Sequence, residues 1–76
     1  MTFEEKCRHY GYIKHLRSFP YSKIETGSIY KIDKINGGDM VDFIVGHNTE
    51  RHLDSQEKEV FIFVTEKYAE KHGISK

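Results

Sequence analysis

Apolar and polar positions alternate most regularly between residues 27 and 46, and this stretch predicts a β-hairpin around which the rest of the chain is arranged. The runs 28–35 and 40–45 are rich in β-branched and aromatic residues and flank Asn36-Gly37-Gly38-Asp39. Asn-Gly and Gly-Gly supply the positive φ angles that tight primed turns need. Val41, Phe43 and Val45 alternate onto one face, where Tyr30 and Ile32 can meet them across the ladder.

Upstream the period changes. Phe3, Cys7, Tyr10, Ile13 and Leu16 recur at a spacing of three to four, which predicts an amphipathic helix over 2–17. Thr2 as N-cap and Glu5 three residues later form a capping box. Glu4 and Glu5 sit at the positive end of the helix dipole, and Lys14, His15 and Arg17 at the negative end. Gly11 is the weak point, costing about 1 kcal/mol relative to Ala; it either lets the helix approach the sheet closely or breaks it in two. Pro20 disfavours helical geometry at Phe19 and ends the element. Residues 21–27 read as a connection with room for a short strand at 22–25.

Residues 46–58 are polar and hold no sustained period, so they predict a long loop between strands. Residues 59–64, Glu-Val-Phe-Ile-Phe-Val, are the most apolar run. Val60, Ile62 and Val64 point one way and Phe61 and Phe63 the other, so this strand is expected to be covered on both faces. One face joins the hairpin core, and the Phe3-to-Leu16 stripe is the best candidate to cover the other. Thr65 then caps a short helix over 66–72, and Gly73 suits the left-handed position past its end, with Ile74 packing back onto Tyr68 or Ala69 in a Schellman stop. The order is a helix, a possible short strand, three strands and a helix. It predicts an α+β fold in one domain over 1–76: an N-terminal helix packed on a small antiparallel sheet, with a short C-terminal helix over 66–73.

The string Gly-Ser-Ile-Tyr-Lys-Ile-Asp at 27–33, then Val-Asp-Phe-Ile-Val at 41–45 and Val-Phe-Ile-Phe-Val-Thr-Glu-Lys-Tyr-Ala-Glu at 60–70, resembles the small SH3-like β-barrels of short phage-encoded and mobile-element proteins. The resemblance spans roughly residues 24–70; the N-terminal helix and the 46–58 loop depart from it. It implies a binding module rather than an enzyme and transfers no functional residue.

Composition narrows the function classes. The chain has 76 residues, with 12 Lys and Arg against 12 Asp and Glu. A domain of this size buries only about 60–65% of its unfolded surface. Its neutral balance points to no general polyanion or membrane surface. Cys7 is the single cysteine, so no intramolecular disulfide can form and a reducing, cytoplasmic compartment is expected. No run is long and apolar enough for a signal or a membrane span.

Charge is nevertheless segregated. From Lys6 to Lys23 there are five Lys or Arg and no acid, interleaved with Tyr10, Tyr12, Phe19 and Tyr21. Lys6, Arg8, Lys14, Arg17 and Lys23 with Tyr12 therefore form a candidate nucleic-acid surface, with cations for phosphates and an aromatic for base stacking. The plainer reading is a solvated face, because five cations are few and the whole chain is not basic. Asp39, Asp42, Glu50, Asp54, Glu57 and Glu59 lie on or beside the turn and the loop, where they can meet a basic protein surface or simply be solvated.

Cys7, His9, His47 and His52 are a conceivable zinc set. Their spacing lacks the close ligand pairs of structural zinc and Cys7 falls on the apolar stripe, so neither metal nor cofactor is expected. His47, Arg51, His52 and Asp54 carry groups for acid–base cleavage of RNA, but share one stretch that nothing fixes. No Walker loop, dinucleotide fingerprint or nucleophile elbow is present. The leading expectation is a small non-enzymatic protein-binding module, plausible as a phage or mobile-element factor modulating a host protein, with His47, Arg51, His52 and Asp54 at the contact. Long polar loops in compact domains commonly carry function.

Overall fold

The computed structural model describes residues 1–75. The capping box forms as the sequence requires: Thr2 Oγ1 accepts from the Glu5 N–H (3.2 Å) and the Glu5 carboxylate accepts from the Thr2 N–H (3.3 Å). The helix it starts is short. α1 spans Phe3–Tyr10, and Gly11 ends it in the left-handed region at φ +80°, its N–H bonded to the Cys7 carbonyl. The chain then turns extended, and Tyr12–His15 is strand β1. The expected helix over 2–17 is thus corrected: the glycine breaks it, and the second half is a strand in which Ile13 and His15 face one way and Tyr12 and Lys14 the other.

The described residues form five antiparallel strands. β2 is Ile29–Asn36, β3 Met40–Val45, β4 Asn48–Leu53 and β5 Phe61–Val64, in the spatial order β4-β3-β2-β1-β5. The central hairpin is as expected, with Ile32 opposite Phe43 and Ile35 opposite Val41 across a register shift between Ile32 and Lys34. Its positive φ angles fall on Gly38 and Asp39. The predicted 46–58 loop is a second correction. Gly46, at φ +63°, and His47 make a two-residue turn, β4 follows, and Asp54–Gln56 is one turn of 3-10 helix. The short strand expected at 22–25 is instead a 3-10 turn, Pro20–Ser22, closed by a bridge between Phe19 and Ile24.

The inner face of the sheet carries the main core: Ile13, Tyr30, Val41, Phe43 and Phe61, covered at one end by Phe3 and Cys7 of α1. Phe3 and Tyr10 both pack on the Phe63 ring. α1 and the hairpin core therefore share one face of β5, and α1 is not the lid for the other. That lid is the C-terminal helix α2, Glu66–His72, whose Ala69 and Tyr68 pack on Tyr12, Ile29, Ile62 and Val64. Thr65 caps α2 by accepting from the Tyr68 N–H. Gly73 has φ +92° and ψ 123°, so no left-handed Schellman stop forms. The chain instead runs back onto β2, where Ser75 exchanges hydrogen bonds with Ile29 (2.7 and 3.3 Å). No helix among the described residues is long and apolar enough to cross a membrane.

Candidate functional site

A groove of about 520 Å³ opens between the Pro20–Ser22 turn and the β3–β4 turn. Two backbone bonds between Phe19 and Ile24 (2.7 and 3.2 Å) pinch the first of these turns shut. Ile24 is thereby held in the core and Phe19 against it, which leaves Tyr21 fully exposed at the rim. Lys23 stands beside it in the left-handed region at φ +59°. The opposite wall is Gly46, His47, Asn48, Thr49 and Glu50, and Tyr30 and Val45 also line the groove. A fully solvated tyrosine ring, a cation, an imidazole and a carboxylate thus surround one recess. This mixture suits an extended polypeptide better than it suits a polyanion.

The expected contact residues are dispersed. His47 lies on the groove wall. Arg51 faces the outer side of the sheet, where its guanidinium donates to both Asp42 oxygens (2.8 and 3.4 Å) and holds the Asp42 carboxyl below the usual carboxylate range. Asp54 starts the 3-10 turn after β4. His52 is buried, on the inner face of β4. The four do not converge on one surface, as either a contact or an RNA-cleaving site requires.

The basic segment is dispersed as well. Lys6 pairs with Glu57 (2.9 Å) and Arg8 with Glu4 (2.7 Å), both on the α1 side. Lys14 lies on the opposite face of the sheet and bonds the Tyr68 hydroxyl. Tyr12 is buried under α2, so no base can stack on it in this fold. Arg17 and Lys23 are exposed in the connection that follows. Of the conceivable zinc set, Cys7 is buried, with its thiol pushed up to about 11 by that burial, while His9 and His47 are exposed. Among the described residues no three His, Cys, Asp or Glu side chains are grouped to hold a metal ion.

Sequence reasoning missed a buried histidine pair. His15 on β1 and His52 on β4 meet inside the curled sheet with their Nε2 atoms 2.9 Å apart. The rings of Phe19, Tyr30, Phe43 and Phe61 surround them, and His52 stacks on Phe61 at 5.3 Å. Burial, and then the neighbouring imidazole, pushes His15 down to about 4. Burial lowers His52 too. The one signal available in the sequence was alternation: His15 falls two residues after Ile13, and His52 two before the 3-10 turn. A histidine in a polar stretch does not announce burial.

Comparison of the chain with protein families, with curated proteins and with solved structures found no match.

Proposed function

We propose that the chain is a small non-enzymatic protein-binding module that takes a polypeptide segment of another protein in the groove between the Pro20–Ser22 and β3–β4 turns. The observation that carries this reading is Tyr21, a fully exposed aromatic ring held at the groove rim by a pinned turn. An aromatic ring fixed in position and left in water supplies contact area at little entropic cost, which is why tyrosine is enriched at binding hot spots. The strand order, with β1 between β2 and β5 and a 3-10 turn between β4 and β5, supports the SH3-like reading of the sheet. That reading implies a binding module. The sheet is not closed into a barrel by β4–β5 pairing. A role as a phage or mobile-element factor rests on the sequence resemblance alone.

The test is capture of partners from cell lysate by the immobilised wild-type chain and two variants. Tyr21→Ala is expected to lose a protein that the wild type retains, and the double replacement of the exposed Arg8 and Arg17 by Ser is expected to keep it. Equal retention by Tyr21→Ala removes the groove as the contact. Micromolar binding of DNA or RNA that weakens steeply with salt, and that the Arg8 and Arg17 replacements abolish, favours a nucleic-acid partner instead.

A further inference from the structure

The buried histidine pair occupies a particular place in the fold. β4 is an edge strand, hydrogen-bonded to β3 alone. Its burial pattern contains one buried residue, His52. β1 is three places away in the sheet, and the sheet curls enough for His52 to reach His15 and to stack on Phe61 of β5. The two imidazoles therefore link the free end of the sheet to its other end, where a closed barrel would have strand pairing.

The hydrogen-bond network assigns the protons. His15 Nδ1 lies 3.3 Å from the Ser28 carbonyl, which can only accept, so this nitrogen carries the hydrogen. His15 Nε2 is then a bare acceptor, and His52 Nε2–H donates to it. His52 Nδ1 is left as a buried lone pair with no partner. One proton can be added at His52 Nδ1 without breaking the central bond, but it puts charge on a buried nitrogen that has no hydrogen-bond partner in the closed form, and burial outweighs what its neighbours return. A proton at His15 Nε2 instead sets two N–H groups against each other at 2.9 Å. Either route destabilises the closed arrangement, and two imidazolium rings at this distance cannot coexist.

We propose that the His15–His52 pair is an acid-sensitive latch that holds the β3–β4 hairpin curled against β1 and β5 at neutral pH and releases it when the pair takes up protons. The surroundings offer little to a charged pair. β2 contributes Tyr30, β3 Val41 and Phe43, β5 Phe61, and the connection after β1 Phe19. α1 adds the neutral thiol of Cys7 to the same core. On β4 itself, Arg51 is turned outward to Asp42, and Glu50 is the charge whose field favours a protonated His52. Gln56, which lines the recess and accepts from the Leu53 N–H, favours a protonated His52 more than Glu50 does, and the Arg51 backbone adds to it, but burial outweighs all three. Among the described residues neither ring forms an ion pair with a carboxylate.

The direction follows from linkage. Both groups titrate lower in the closed form than the ordinary 6.5, so the released form binds more protons below that value. The latch is fully closed above about pH 6.5 and weakens as pH falls from there toward 4. The proposal is independent of what occupies the groove.

Residue-resolved amide hydrogen exchange on the full chain between pH 7.5 and 4.5, corrected for intrinsic rates, tests it. Protection in β4 and the Asp54–Gln56 turn is expected to fall about tenfold per pH unit for each proton taken up, while β1, β2 and β5 keep theirs. The double replacement His15→Leu with His52→Phe is expected to flatten this response. The imidazole 15N shifts of the wild type give a readout that needs no variant: neutral rings at pH 7, with hydrogens on His15 Nδ1 and His52 Nε2, and charged rings in the released form. Simultaneous loss of protection in all strands, no pH response in β4, or imidazoles that stay neutral through the transition overturn the latch.

Discussion

Lys14 Nζ donates a hydrogen bond of 2.8 Å to the Tyr68 hydroxyl and stands 5.3 Å from the centre of its ring. The contact joins β1 to α2 across 54 residues of chain and explains two things at once. It shows why β1 tolerates a lysine on a half-covered face: the ammonium finds the phenolic oxygen there. It also removes Lys14 from the surface that a basic helix over 2–17 would have presented. Tyr68→Phe removes the hydroxyl and keeps the ring, so the expected loss is about 1 kcal/mol in urea unfolding. No change in midpoint shows that Lys14 is solvated instead.

Phe61 and Phe63 differ more than their shared direction on β5 suggests. Phe61 is fully buried and stacks on His52, whereas Phe63 is half-buried at the α1 end, between Phe3 and Tyr10. Phe61→Ala is expected to cost about 3–5 kcal/mol and to unfold much of the population, and Phe63→Ala clearly less. Equal losses in denaturant titration contradict this division of the core.

How much of this was legible beforehand depended on whether sequence pattern or tertiary packing decided each element. The capping box, the central hairpin and α2 are local: Thr2 with Glu5, the alternation of Val41, Phe43 and Val45, and Thr65 before Glu66 each act within a few residues. β1 was not local. Tyr12-Ile13-Lys14-His15 continues the 3–4 spacing of α1 through Ile13 and Leu16, and equally well alternates. Gly11 and two flanking strands decide the matter, and only the glycine is visible in the chain. β4 was hidden for the opposite reason. As an edge strand it buries one residue, so Asn48-Thr49-Glu50-Arg51-His52-Leu53 shows no apolar alternation. The readable signal was Gly46-His47, because glycine at the first of two turn residues marks a tight hairpin. The groove was hidden with β4, since one wall is the β3–β4 turn and the other is a 3-10 turn where a short strand was expected.

Gly11 gives a direct check on the first boundary. Its φ of +80° lies in the left-handed region, and a Cβ placed there meets nothing within 4 Å. Substitution therefore incurs backbone strain without a clash. Gly11→Ala is expected to destabilise by about 1–2 kcal/mol, and Gly11→Asn by less, because asparagine tolerates this conformation. A neutral or stabilising Gly11→Ala would mean that the helix continues through this position.

The Asp42–Arg51 pair has its own pH signature. The Arg51 hydrogen bonds lower the Asp42 pKa, so its contribution is present above the ordinary carboxylate range and lost as pH falls through the folded value, below the window of the histidines. Arg51 is half-exposed, so solvent screens the pair and its contribution is small. Asp42→Asn is expected to flatten stability against pH only at the acidic end. A change in slope near pH 6 would assign the effect elsewhere.

The groove is tested most directly by placing a photo-cross-linking phenylalanine analogue at Tyr21, and in a second sample at Lys34 on the outer face of β2. Tyr21 is fully exposed, so neither folding nor the core is disturbed. Irradiation in cells is expected to yield a discrete protein adduct from position 21 and none from position 34. The same adduct from both positions, an adduct from 34 alone, or cross-linking of position 21 to nucleic acid contradicts a protein-binding groove at the Pro20–Ser22 turn.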